Sequence, residues 1–278
     1  MAMPEMPELE TIKRSLEPHI KGRKITDVEL LLSRQIKFPS PEEFVSRIKG
    51  QVISELLRRG KYLILKLNNG ISLVIHLRMS GQACYCGPND PDRRHSRIIF
   101  HLDDDARFIF ADTRTLGTIY AMTDEELPQI GGLAELGPEP LSDEFTLEYL
   151  KNILSRKKGK IKSFLLKQNY IAGLGNIYVD ECLFLAGINP LRTPDSVTGT
   201  EAKKLYASIN KVIEDGINDG GTTFRDYRDG TGGKGSHQDN LYAYGRAGQP
   251  CRKCGTIMEK LKVGGRGTVY CPKCQLPK

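Results

Sequence analysis

The chain has 278 residues, 41 Lys plus Arg against 34 Asp plus Glu, and a formal charge of +7. Apolar residues make up 39%, and no run approaches the roughly 18 to 20 consecutive apolar residues that a spanning helix needs, which excludes an integral helical membrane protein. The opening MAMPEMPELE is acidic and has no apolar core, so no secretory signal is predicted and a cytoplasmic, nucleoid-associated location is expected.

At about 100 to 200 residues per domain, this length predicts two domains. The charge is unevenly spread. Residues 151–278 carry 22 basic and 11 acidic side chains, whereas residues 1–150 carry 19 and 23. A basic second half points to a polyanionic partner, although charge alone fits a solvated surface equally well.

In chain order, Leu9, Ile12 and Leu16 recur at helical spacing between Pro7 and Pro18, which predicts a short amphipathic helix. The period then changes. Tyr62 to Leu67, Ile71 to Leu77, Arg97 to Leu102 and Arg107 to Ala111 read as strands, with Asn69-Gly70 and Asp103 to Asp105 as turns. Short strands with little helix between them predict an antiparallel sandwich or barrel.

Residues 121–150 hold eight acids and no Lys or Arg around Gly131-Gly132 and Gly137-Pro138, and a domain boundary is predicted there. Beyond it Leu150 to Ile153, Ile161 to Leu165 and Thr200 to Ile217 read as helices. Gly230 to Gly235 reads as a mobile, glycine-rich loop.

Cys251-x2-Cys254, sixteen residues, then Cys271-x2-Cys274 is the strongest local signal. A cytosolic chain rarely keeps disulfides, and two such pairs supply the four thiolates of a closed tetrahedral zinc site. Four cysteines leave no open coordination position, so one structural Zn2+ is expected, pinning a hairpin of Met258 to Leu261 and Thr268 to Tyr270. A redox dithiol is the competing reading. Arg246, Arg252, Lys253, Lys260, Lys262 and Arg266 surround the cysteines, as in hairpins that contact nucleic acid, although some such ribbons serve only protein contacts.

Several motifs extend this reading. Met3-Pro4-Glu5-Met6-Pro7-Glu8-Leu9-Glu10-Thr11 resembles the opening of bacterial formamidopyrimidine-DNA glycosylases, and the resemblance continues at Arg59-Gly60-Lys61-Tyr62 and His76-Leu77-Arg78-Met79-Ser80-Gly81. It runs on through Leu136 to Leu141, Ala172-Gly173-Leu174-Gly175-Asn176-Ile177-Tyr178 and Tyr244-Gly245-Arg246 to the four cysteines, covering essentially the whole chain. The resemblance implies a multidomain α+β fold: an N-terminal antiparallel β-sandwich with a terminal helix, a helical helix-two-turn-helix domain and a C-terminal zinc β-hairpin finger. The expected bounds are 1–120 for the catalytic sandwich, 121–150 for the acidic connector, 151–236 for the helix-two-turn-helix domain with its lesion-capping loop, and 237–278 for the finger.

The activity implied is a bifunctional DNA glycosylase/AP lyase that excises oxidised purines such as 8-oxoguanine and formamidopyrimidines from duplex DNA. Pro4 matches the family's nucleophile, whose secondary amine attacks C1′; Glu5 matches its acid/base; Lys61 matches a strand lysine that contacts phosphate and supports catalysis. Here Met1-Ala2-Met3 precedes Pro4, and a proline inside a chain has no nucleophilic nitrogen. Translation from Met3 followed by its removal is expected to expose it.

Base flipping needs groups that fill the gap left in the stack. Met79 and Arg114 match two of the family's three, and Leu116 stands where phenylalanine is usual. Core packing at a strand end is the alternative for Met79 and Leu116. Asn176, with Lys158 and Lys162 upstream, matches the phosphate-binding helix-two-turn-helix, and Arg266 matches the finger arginine that grips phosphate. Asp229 to Asn240 corresponds to the lesion-capping loop, without assigned base contacts. His19, His76, His95, His101, His237, Cys84, Cys86 and Cys182 receive no role.

The expected partner is double-stranded DNA bearing an oxidised base or abasic site, bound by a monomer. Two alternatives remain: an endonuclease VIII-type glycosylase for oxidised pyrimidines, and a non-catalytic damaged-DNA-binding protein if Pro4 is not the mature terminus.

Overall fold

A computed structural model describes residues 3–155 and 157–277. Met1 and Ala2, on which the expected start at Met3 bears, lie outside the described residues. Two compact units divide the chain, the first formed by residues up to 134 together with 219–236, the second by 135–218 and 237–278.

The first unit opens with α1 (Met6–Ile20). A reciprocal capping box between Glu5 and Glu8 starts the helix, and Pro7 in the first turn has no N–H to leave unsatisfied. Leu9, Ile12, Leu16 and Ile20 form its buried face. The helix continues two residues past Pro18, beyond its expected end, because Ile20 is still part of that face.

The following elements are β1 (Ile25–Leu30), β2 (Ile36–Phe38), α2 (Pro41–Ile48), β3 (Ile53–Arg59), β4 (Tyr62–Leu67) and β5 (Ser72–His76). They continue as β6 (Gly81–Cys86), β7 (Ser96–Leu102), β8 (Arg107–Asp112), β9 (Thr118–Met122) and α3 (Gly131–Ala134). One sheet has the order β1-β7-β8-β6 and the other β2-β9-β5-β4-β3. Every pairing in the two sheets is antiparallel except β2 with β9.

Alternate residues point to the core between the sheets, as the strand period of two requires: Leu63, Leu65 and Leu67 from β4, Leu73 and Ile75 from β5, Ile98, Phe100 and Leu102 from β7, Phe108 and Phe110 from β8. The leucines and isoleucines of α1 join the same cluster.

The returning segment 219–236 belongs to this unit, although α7 precedes it in sequence and the finger follows it. Tyr227 is part of the sandwich core, Gly230 N donates to Ser15 Oγ at 2.8 Å, and Tyr85 N donates to Gly230 O at 2.6 Å. The expected bounds of 1–120, 121–150 and 151–236 therefore differ from the observed units. The division falls inside the acidic stretch, at 134/135, and Gly230, the first residue of the loop expected to be mobile, makes both of these bonds.

The second unit contains α4 (Leu147–Ser155), α5 (Ile161–Leu165), α6 (Asn176–Ala186), α7 (Gly199–Asn218) and a hairpin of β10 (Glu259–Val263) and β11 (Arg266–Tyr270). Nearly every residue of α6 from Ile177 to Ala186 is buried, making it the central helix of the unit. The hairpin has little core of its own: Met258 and Val269 pack with Phe184 of α6 and with Cys251 and Cys271. No helix among the described residues is long and apolar enough to cross a membrane.

Candidate active site and nucleic-acid interface

Pro4 and Glu5 are buried at the head of α1. Glu8, one turn further on, joins this terminus to the returning segment: its Oε2 accepts from Glu5 N at 2.9 Å and its Oε1 from Thr222 N at 2.7 Å. Glu8 is 2% exposed, so both bonds are shielded from competing water. Neither Glu8 nor Thr222 was singled out by sequence, because their meeting depends on the chain returning 214 residues later.

Lys61 lies on the two-residue turn joining β3 to β4, not within a strand as its family match implied. Gly60 has φ +56, which suits the first central position of a type II′ turn, and the pair Arg59–Tyr62 closes it. The turn is tied back to α1: Arg58 Nε donates to Glu10 Oε2 at 3.0 Å and Arg58 Nη1 to Gly60 O at 3.3 Å. Burial would raise the Glu10 carboxyl, but the hydrogen bonds from Arg58 and Arg14 outweigh it and hold the pKa below its usual value. The helix that begins two residues after Pro4 is thus braced against the turn that carries Lys61.

Lys61 is buried beside His76, which faces Tyr62 across the β4–β5 ladder with the two rings 4.6 Å apart, edge to face. Burial first, then the charges of Arg78 and Lys61, lowers the His76 pKa to about 3, so the imidazole is neutral at physiological pH. Its Nδ1 accepts from Arg78 N at 3.1 Å, which leaves the ring proton on Nε2 as a donor. His76, given no role from sequence, therefore presents a neutral Nε2 donor beside Lys61. Its only sequence signal is its place at the start of the His76-Leu77-Arg78-Met79 motif.

Met79, Arg114 and Leu116 gather at one end of the sandwich. Arg114 Nη1 lies 3.9 Å from Met79 Sδ, and Leu116 is 50% exposed two residues along the same loop. That exposure removes core packing as the reason for a leucine there. Asp112 organises the cluster: its Oδ1 accepts from Ser80 Oγ at 2.6 Å and Arg114 N at 3.1 Å, its Oδ2 from Gln35 Nε2 at 2.9 Å and Gly117 N at 2.8 Å.

In the second unit, Asn176 is the first residue of α6, where unsatisfied helix N–H groups favour an anion. Gln168 shapes the preceding turn, accepting from Gly173 N at 3.0 Å and donating to Leu174 O at 2.7 Å. Lys158 is exposed in the segment before α5. Lys162 is not a surface cation, contrary to its grouping with Lys158 in the sequence: it is fully buried and ion-paired to Asp180 at 2.6 Å. Arg266 is exposed at the first position of β11.

The four cysteine sulfurs lie within 4.8 Å of one another, with separations of 3.5 Å for Cys254–Cys271, 3.5 Å for Cys254–Cys274 and 3.9 Å for Cys251–Cys274. A tetrahedron with Zn–S bonds of about 2.3 Å has edges of about 3.8 Å, so the set fits one structural zinc ion and not a lone redox pair. Lys253 N and Cys274 N approach Cys251 Sγ and Cys271 Sγ at 3.4 Å, as suits thiolates. Cys84, Cys86 and Cys182 are buried, which raises each thiol, Cys84 to about 12, and leaves them poor nucleophiles.

Comparison with known proteins agrees with this geometry. Residues 3–119 match the formamidopyrimidine-DNA glycosylase N-terminal domain, 136–228 its H2TH domain, and 248–276 the zinc finger found in FPG and IleRS. The chain is 45% identical over 276 residues to a formamidopyrimidine-DNA glycosylase of Pelotomaculum thermopropionicum, covering 99% of this chain and 100% of that one. Among solved structures, a Lactococcus lactis FPG mutant bound to Fapy-dG-containing DNA superposes with a TM-score of 0.92 at 35% identity, covering 99% of this chain and 100% of that one. MutM in complex with DNA containing carbocyclic 8-oxo-G gives a TM-score of 0.91 at 35% identity and the same coverage. The buried Pro4-Glu5 pair, the sandwich, the helix-two-turn-helix and the four-cysteine hairpin occur in order along the chain, and the chain belongs to the formamidopyrimidine-DNA glycosylase family.

Proposed function

We propose that the protein is a bifunctional DNA glycosylase/AP lyase that removes oxidised purines from duplex DNA, acting as a monomer on the nucleoid in the cytoplasm. The observation that carries this reading is the environment of Pro4 and Glu5: buried at the head of α1 and hydrogen-bonded through Glu8 to the returning segment.

With Pro4 as the terminal residue, its secondary amine attacks C1′ of the damaged nucleotide, the glycosidic bond breaks and the base leaves with the bonding pair. Glu5 supplies the proton that opens the sugar ring at O4′, giving an iminium between Pro4 and C1′. That cation acidifies C2′–H; loss of this proton expels the 3′ phosphate, and a second elimination expels the 5′ phosphate.

Lys61 and the Nε2–H of neutral His76 hold the phosphates beside the lesion. Met79, Arg114 and Leu116 occupy the space that the flipped nucleotide vacates, with Leu116 giving up the stacking that an aromatic side chain would add. Lys158, Asn176 and Arg266 grip the backbone. The zinc ion keeps the short finger folded and takes no part in the reaction.

Single-turnover excision from duplexes carrying 8-oxoguanine, a formamidopyrimidine or thymine glycol tests the substrate class. Faster release of the two purine lesions is expected. Dominant thymine glycol release overturns the assignment in favour of an oxidised-pyrimidine enzyme.

A further inference from the structure

One carbonyl of the strand that carries Arg266 accepts two side chains from the helical part of its unit. Lys162 Nζ donates to Gly267 O at 2.9 Å, and Asn176 Nδ2 donates to the same oxygen at 3.1 Å. The ammonium is also bonded to Asp180 Oδ1 at 2.6 Å, and Asp180 Oδ2 accepts from Val269 N at 3.1 Å. Lys162 and Asp180 are 0% and 2% exposed. The tip of the hairpin presses on α5 as well: Gly264 and Gly265 have φ of +55 and +77, and a Cβ on Gly264 would lie 2.6 Å from Ser163 Oγ.

Two features of this arrangement are unusual. A buried ion pair costs desolvation that its attraction only roughly offsets, so stability alone is a weak reason for it. The side-chain oxygen of Asn176, moreover, is buried without a hydrogen-bond partner. Turning the amide over would not help, since a carbonyl can only accept, and Gly267 O requires the Nδ2 edge.

We propose that Gly267 O is a holding position for the Asn176 amide, and that Lys162 is the positioning residue that lets DNA take it over. This rests on the reading of Asn176 and Arg266 as phosphate ligands. Without DNA the amide donates to the carbonyl; on binding, a backbone phosphate takes that N–H in a stronger, charge-assisted bond. Gly267 O keeps the Lys162 ammonium on its other lone pair, so the strand stays docked and Arg266 stays next to the helix terminus. Asp180 holds both the ammonium and the strand, through Val269 N.

A double-mutant cycle reads this directly. Asn176→Ala is made in the native chain and in a chain carrying Lys162→Met with Asp180→Asn, which leaves no unpaired buried charge and keeps an acceptor for Val269 N. Affinity for a duplex with a tetrahydrofuran abasic analogue is measured by anisotropy, with zinc content and cooperative melting verified. In the native chain Asn176→Ala is expected to weaken binding about tenfold, the equivalent of one charge-assisted hydrogen bond. In the altered background the same change is expected to cost less than about threefold, because the amide no longer leaves the carbonyl.

Equal losses in both backgrounds overturn the relay and leave the phosphate reading standing. No loss in the native chain overturns the phosphate reading and the relay with it. The native protein offers a second test that needs no variant: the NMR coupling across the bond from Asn176 Nδ2 to the Gly267 carbonyl is expected in the free protein and absent with DNA bound. Its persistence in the complex overturns the proposal.

Discussion

Replacing Asp112 removes the hub on which the loop of Arg114 and Leu116 is built. The carboxylate is 1% exposed and accepts four hydrogen bonds, two on each oxygen, from Ser80, Arg114, Gln35 and Gly117. Each bond to a buried carboxylate contributes about 1.5 to 3 kcal/mol, but the four share one acceptor group and do not add. Loss of the whole network in Asp112→Ala is therefore expected to cost about 3 to 5 kcal/mol, in the range of a broken buried hydrogen-bond network.

Asp112→Asn is the more informative variant. One oxygen still serves its two donors, while the new NH2 faces the other two. If it faces Ser80, the hydroxyl can rotate to accept, but the Arg114 N–H remains opposed. The expected cost is about 2 kcal/mol, visible as a lower urea midpoint at unchanged slope. Because the disturbed loop carries the side chains that replace a flipped base, excision of 8-oxoguanine from duplex DNA should slow more than cleavage at a preformed abasic site, which needs less unstacking. A midpoint equal to that of the native chain, or equal slowing on both substrates, refutes this account of Asp112.

Two further outcomes follow from the site. Chelating zinc, or Cys271→Ser, should release the metal and weaken DNA binding with little change in the melting of the sandwich, since the finger cysteines belong to the other unit; full binding after verified zinc loss contradicts this. His76 sets a pH limit: its pKa is about 3 folded against 6.5 unfolded, so below pH 6.5 the unfolded chain takes up a proton that the folded chain refuses. That contribution to stability is complete above pH 6.5 and is lost toward pH 3 at up to about 1.4 kcal/mol per pH unit. Urea unfolding at pH 7 and 5.5 should show a shallower loss for His76→Gln, and parallel losses contradict the assignment.

Much of this architecture is legible in local sequence. The C-x-x-C pairs announce the zinc site because their spacing alone sets the coordination, and Leu9, Ile12 and Leu16 announce α1 because they lie on one stripe. Strands β4, β5, β7 and β8 carry apolar runs of Leu, Ile, Val and Phe. Strands β3 and β6 do not: Ile53–Arg59 mixes charges among its leucines, and Gly81–Cys86 reads as small and polar. Each is a strand because a partner completes its ladder: β4 across the Gly60-Lys61 turn for β3, and the more distant β8 for β6, where Gly81 pairs with Asp112.

The residues that join segments are the ones local pattern misses. Lys162 stands in a basic run that looks solvent-facing, and only folding brings Asp180 to it. Asp180 and Glu181 look like ordinary helix acids, yet Glu181 is buried and accepts from Tyr242, Ala243 and Tyr244 N at 2.8 Å each. The segment 219–236 lies between helical and finger sequences but completes the sandwich, a discontinuity that no composition shift marks. His76 reads as one histidine among five until its neighbours Lys61 and Tyr62 are in place.

The central claim, that Pro4 is the nucleophile, is tested most directly by borohydride trapping on 8-oxoguanine duplex with peptide mapping of the adduct and intact-mass analysis of the active protein. Active chains are expected to begin at Pro4 and to carry the reduced DNA adduct on that residue, with Pro4→Gly sharply reducing its yield. Efficient trapping by chains that retain Met1 or Ala2, or an adduct that maps to Lys61, would contradict it.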